Sequence, residues 1–170
     1  MSDSFIPLLQ FFVTLEEVTG RKKCQKMIHI LQECGHDFGF DFKLALYGAY
    51  SSELQTVLER FVDEEYIDEN SERTPYAGFP TSVFKPSARG QQIFELFEVG
   101  GSPSWLSLAT KLNEKSTRDL EATSTIFLLR SSGVSEADLQ SRFEGLKPHL
   151  KANFEKAKEL AEELRAVSQN

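Results

Sequence analysis

The stretch from Phe38 to Tyr50 limits the possible folds more than any other part of the chain. Phe38, Phe40, Phe42, Leu44 and Leu46 alternate with Gly39, Asp41, Lys43 and Ala45. Successive side chains of a strand point to opposite faces, so this period of two predicts an extended, half-buried segment. Tyr47-Gly48-Ala49-Tyr50 reads as a turn. Ser51 and Ser52 follow as competing N-caps, and Ser52 with Gln55 fits a capping box. Leu54, Val57, Leu58, Phe61 and Val62 then mark an amphipathic helix.

The flanking sequence is largely helical. Residues 5 to 18 form a first helix, with Pro7 tolerated in its first turn and Gly20 ending it. Residues 21 to 34 form a second, closed by Gly35. Between 65 and 86, Tyr66-Ile67 and Thr81-Ser82-Val83-Phe84 read as short strands, with Pro75, Gly78 and Pro80 in the tip between them. Ser87 caps a fourth helix that Gly100-Gly101 breaks. A short helix from Pro103 to Leu112 follows, then one capped by Ser116 and reaching Leu129. Ser135 with Asp138 opens the next, and a last helix runs to Val167. The chain of 170 residues reads as one domain, mainly α with a small β hairpin or wing. Residues 20–99 form a winged-helix-like portion packed on a helical portion, 102–167. Fourteen Phe supply a core that needs neither a disulfide nor a metal.

Several functions are disfavoured by composition. Cys24 and Cys34 lie about 15 Å apart along one helix, too far to bridge, and fit two reduced thiols. No apolar run has the length of a membrane span. The apolar start, Ser4 to Val13, lacks a basic leader and a cleavage site, so a cytoplasmic location is expected. His29, His36 and His149 have no metal-ligand spacing and read as structural or surface residues. There is no phosphate-binding loop, dinucleotide turn or nucleophile elbow. No catalytic residue, metal or other cofactor is expected.

Three segments carry a family resemblance. They are Lys23-Cys24-Gln25-Lys26-Met27-Ile28-His29-Ile30-Leu31-Gln32, Phe40-Asp41-Phe42, and Tyr47-Gly48-Ala49-Tyr50-Ser51-Ser52-Glu53-Leu54. Together they resemble the YwgA-like family of prokaryotic proteins and, more distantly, the Panacea domain of antitoxins. Leu120-Glu121-Ala122-Thr123 and Leu146-Lys147-Pro148-His149 are similar to later family motifs, so the resemblance spans most of residues 20–167. Ala49 departs from the pattern, which usually has Pro there; a fixed φ is lost from the turn. The YwgA-like resemblance carries no activity. The Panacea comparison implies neutralising a toxin by direct contact.

Charge points the same way. The chain has 19 Lys and Arg against 26 Asp and Glu, a net charge of −7. Between Ser51 and Glu72 lie Glu53, Glu59, Asp63, Glu64, Glu65, Asp68, Glu69 and Glu72 against the single base Arg60. In a winged helix this segment holds the groove-reading helix and part of the wing, where such charge repels phosphates. Glu59, Asp63, Glu64, Glu65, Asp68 and Glu69 are therefore the candidate surface for a basic protein partner. Arg21, Lys22, Lys23 and Lys26 form the compact basic group, at a helix N-terminus where the dipole disfavours cations. One or two should pair with carboxylates, with Glu121 a candidate partner; an anion-binding role is the alternative. The candidate binding residues are thus Lys23, Lys26, Tyr47, Tyr50, Ser51 and Glu121. Leu150, Phe154, Ala157, Ala161 and Leu164 have heptad-like spacing, which fits packing on the body or a homodimer seam. The expected function is a non-catalytic interaction module, antitoxin-like or regulatory. A nucleic-acid-binding regulator is the alternative, and an enzyme with an unrecognised site comes third.

Overall fold

Helix caps made by serine hydroxyls divide much of the chain into its elements. The computed structural model describes residues 4–46, 48–73 and 80–169. Their order is α1 (Phe5–Leu15), β1 (Val18–Thr19), α2 (Arg21–Glu33), β2 (Lys43–Ala45), β3 (Gly48–Tyr50), α3 (Ser52–Asp63), β4 (Ile67–Arg73), β5 (Pro80–Pro86) and α4 (Ala88–Leu96). Then come α5 (Leu106–Asn113), α6 (Thr117–Ser131), α7 (Glu136–Leu146), a 3-10 turn (Pro148–Asn153) and α8 (Phe154–Ser168). Ser51, Ser87, Ser116 and Ser135 each accept the backbone N–H three residues on, satisfying a donor the first turn would leave bare. Ser51, not Ser52, caps α3, because only Ser51 has the extended backbone of a cap.

The protein is mainly helical with small antiparallel sheets. The first sheet has strand order β1-β5-β4, and the second pairs β2 with β3. The expected hairpin is β4 against β5, in register from Ile67 opposite Pro86 to Arg73 opposite Pro80. The tip residues Pro75 and Gly78 lie outside the described residues. β1 corrects the reading of a first helix running to residue 18. α1 ends at Leu15, Glu16 turns at φ +64°, and Val18 and Thr19 pair with Phe84 and Val83. At the other end of the hairpin, α4 crosses the start of β4 at Gly90, where a Cβ would sit 2.0 Å from the Tyr66 carbonyl oxygen. Only glycine permits that approach.

α6 is the central helix. Leu120 to Phe127 are buried without interruption, and α2, α7 and α8 pack around it. Such a helix, covered on all sides, shows no amphipathic stripe. Phe11, Phe38 and Trp105 join α1, the segment after α2 and the start of α5, with ring centroids 5.5 to 6.1 Å apart. Phe5, Phe61 and Tyr66 join α1, α3 and the start of the hairpin, centroids 5.1 to 5.6 Å apart. Each such buried ring contributes about 1.5–3 kcal/mol of transfer free energy.

The alternating run behaves differently from the expectation. Phe38 and Phe40 are buried and Phe42 is half-buried, but Leu44 and Leu46 are 54% and 85% exposed. Only Lys43–Ala45 pairs as a strand. Earlier in the run, the Gln32 side chain stands in for a neighbouring strand, exchanging bonds of 2.8 and 3.0 Å with the Phe40 carbonyl and N–H. The run therefore leaves the core partway along. Of the two readings of the heptad-like residues, packing on the body is the one that fits. Leu150, Phe154, Ala157, Ala161 and Leu164 are all buried in this chain's own core, whose members run from Phe5 to Leu164.

Candidate functional site

Basic residues on α2 meet the turn after β2 and the N-terminus of α3 at one corner of the molecule. α2 presents Lys22, Gln25 and Lys26 on one face, as their spacing of three and four requires. The Gln25 side-chain amide bonds both the N–H and the carbonyl of Ser51, at 3.0 and 2.8 Å, and fixes the backbone that enters α3. Lys26 donates to the Ala49 carbonyl at 2.5 Å. Gly48, at φ +90°, lies so close to Thr125 and Lys147 that a Cβ there would stand 3.4 to 3.5 Å from them.

Beneath this turn lies Glu121. Its carboxylate takes Lys147 at 2.8 Å and Lys22 at 2.6 Å, with the His149 ring at 3.8 Å. Lys26, Lys147 and Glu121 are all buried. Burial pushes the Glu121 carboxyl up, but the bonds from Lys147 and Lys22 outweigh it and hold the group below its ordinary value. Lys26 forms no ion pair with a carboxylate among the described residues. Burial brings its ammonium down to about 8, Glu121 opposes this, and the neighbouring charges of Lys147 and Lys22 add to it. Two family-like segments, around Glu121 and Lys147, thus meet in space.

The structure brings together Lys26, Tyr50, Ser51 and Glu121 from the residues expected at a site. Ser51 is fully buried and acts as a cap, while Tyr50 is partly exposed. Lys23 points elsewhere and donates to the Asn113 carbonyl at the end of α5, at 2.5 Å. Tyr47 lies outside the described residues. Glu121 does receive a lysine of the basic group, but it is Lys22 rather than Lys26 that reaches it. Sequence reading placed Lys22 in the basic group without singling it out for a site, and missed Gln25 and Lys147. Lys147 and Gln25 each had a signal, the family-like segment that holds it, but the role of Gln25 depends on a backbone 26 residues away.

The acidic segment is partly neutralised from within. Arg21 grips Glu69 through two bonds of 2.8 and 2.5 Å and reaches Glu59 at 3.5 Å. The first of these holds the Glu69 carboxyl below its usual range. Arg60 pairs with Glu64 at 2.6 Å. Asp63, Glu65 and Asp68 are exposed and form no ion pair among the described residues. They cluster where α3 ends and β4 begins, with Glu65 itself in a left-handed turn at φ +59°.

A second polar chain lines a cleft of about 490 Å³ between α2, the Phe40–Phe42 segment and the end of α6. His29 sits 2.8 Å from the Ser124 hydroxyl and 3.3 Å from Glu33, and its ring lies 4.9 Å from that of Phe42. The order Ser–His–Glu is that of a hydrolase, but Ser124 is fully buried within α6 and does not line the cleft. His29 is a core residue here. Cys24 and Cys34 are free thiols. No described helix is long and apolar enough to cross a membrane.

Comparison with known proteins gives two relatives. The YwgA protein of Bacillus subtilis, itself uncharacterized, is 25% identical over 163 residues, 94% of this chain and 95% of that protein. A DNA ADP-ribosyl glycohydrolase of Thermus aquaticus is 29% identical over 160 residues, 90% of this chain. The chain spans only 42% of that protein's length. No protein-family model matches.

Proposed function

We propose that the chain is a non-catalytic interaction module of the cytoplasm, antitoxin-like or regulatory, that docks a basic protein partner through the edge where α3 meets β4. The observation that carries this reading is the exposed trio Asp63, Glu65 and Asp68, which form no ion pair among the described residues. Glu53, in the first turn of α3, and Glu72, near the far end of β4, are also exposed. A basic partner gains most at carboxylates that are not already paired.

A winged-helix arrangement is part of the proposal. The order α1, β1, α2, α3, β4, β5 with sheet order β1-β5-β4 supports it, with β2 and β3 inserted ahead of α3. In that arrangement α3 stands where a groove-reading helix would stand and β4–β5 is the wing. The same geometry favours a second reading, a nucleic-acid-binding regulator, and the Thermus relative is named for an activity on DNA. Against it, the basic group on α2 is already engaged. Arg21 holds Glu69, Lys22 holds Glu121, Lys23 holds Asn113, and Lys26 is buried. Counterion release needs cations that reach phosphates.

A salt titration with fluorescent single- and double-stranded DNA separates the two readings. The docking proposal expects no saturable binding at low salt. Saturable binding that falls steeply with salt and is lost when Arg21, Lys22, Lys23 and Lys26 are neutralised would put the regulator first.

A further inference from the structure

The corner between α2 and α3 holds more positive charge than its one buried carboxylate can balance. Lys22, Lys26 and Lys147 surround Glu121. Lys22 and Lys147 bond that carboxylate directly, and Lys26 does not. An ammonium has three N–H donors. Lys26 is 1% exposed, and among the described residues it meets one acceptor, the Ala49 carbonyl. A buried cation with donors left over is costly unless an acceptor completes its shell.

An opening exists for such an acceptor. A cleft of about 290 Å³ is lined by Arg21, Lys22, Gln25, Lys26, Tyr50 and Gln55. That is near the lower bound for small-molecule pockets. Its walls combine the alkyl stems of three cations with an aromatic ring and two amides. Tyr50 is 38% exposed at the edge. Arg21 is held by Glu69 through two bonds of 2.8 and 2.5 Å and meets the exposed Glu59 only at 3.5 Å, so it borders the cleft while Lys26 is the cation left for an entering anion.

We propose that this cleft binds a small organic anion, whose carboxylate or phosphate completes the hydrogen bonding of Lys26 while its apolar body lies on Tyr50 and the lysine stems. The Gln25 amide, committed to Ser51, and the Gln55 amide, which donates to Glu59 at 2.7 Å, flank the ligand and report its arrival. Arg21 and Lys22, at 34% and 41% side-chain exposure, stand at the mouth, each already paired with a carboxylate. This site stands on the α2–α3 corner and owes nothing to the acidic edge, so its failure would leave the docking reading untouched.

Phenyl phosphate, benzoate and the neutral benzyl alcohol, titrated into the ¹⁵N-labelled protein at fixed ionic strength, provide the test. The expected result is saturable shifting of the Gln25 and Gln55 side-chain amides by at least one of the two anions, with no matching effect of benzyl alcohol. A stronger response to phenyl phosphate assigns a phosphate ligand, and a stronger response to benzoate a carboxylate. Lys26→Met should weaken binding by about tenfold or more, the worth of a charge-assisted bond. Lys23→Met should leave it unchanged, since Lys23 lies on the α5 side. Should Lys26→Met fail to fold, Gln55→Glu, at a half-buried position on the lining, must weaken binding by repulsion. No saturable shift with either anion would overturn the proposal. So would equal binding of benzyl alcohol, or unchanged affinity in Lys26→Met or Gln55→Glu.

Discussion

Glu121 joins segments that are far apart in sequence. Through Lys22 it ties α6 to α2, and through Lys147 it ties α6 to the end of α7. The Gly48 turn packs over Lys147. Removing one member of a buried ion cluster leaves the others unpaired in a poor solvent for charge. Glu121→Gln is therefore expected to cost about 3–5 kcal/mol in a urea unfolding titration. Lys26 makes a different prediction, through pH. Its folded-state value of about 8 lies below the ordinary 10.5 because of burial. Between these values the unfolded chain binds more protons than the folded one, so stability rises with pH across that window. The wild type should gain up to about 3 kcal/mol from pH 8 to 10.5 relative to Lys26→Met. Parallel pH profiles for the two proteins would show that Lys26 stays charged at no cost.

At the scale of elements, local chemistry explains what could be read and what could not. Ser51, Ser87, Ser116 and Ser135 announce helices because capping is a matter of three residues and one hydroxyl. Ser51→Ala should cost about 1 kcal/mol by loss of the bond to the Leu54 N–H, measured as a shift in urea midpoint. β1 gave no such signal. Two residues show no periodicity, and Val18–Thr19 is a strand only because Phe84 and Val83 lie beside it. The alternation of Phe38 to Leu46 is real, yet it did not reveal where the segment leaves the core. That is set by where Gln32 reaches Phe40, a contact no pattern records. Gly90 is the counterpart in packing. Its helix was legible, its contact with Tyr66 was not, and Gly90→Ala should cost about 3 kcal/mol through overpacking.

For the molecule as a whole, the family resemblance and the charge count carried most of what was legible. The relationship to YwgA covers nearly the full chain, and the segments around Glu121 and Lys147 that suggested it meet in space. Counting charge was less informative about the acidic edge. Glu59, Glu64 and Glu69 answer to Arg21 and Arg60, and only the geometry separates them from Asp63, Glu65 and Asp68. Those three form the core of the proposed docking surface, and they lie apart from the buried cluster that holds the fold. Reversing their charge should therefore leave unfolding midpoints nearly unchanged while abolishing partner binding. The direct measurement is an affinity capture from the native cytosol after nuclease treatment, comparing the wild type with Asp63→Lys/Glu65→Lys/Asp68→Lys. The account predicts a basic protein retained by the wild type, weakened by added salt and lost with the triple variant. Retention of the same protein by the variant, or capture that disappears with nuclease alone, would contradict it.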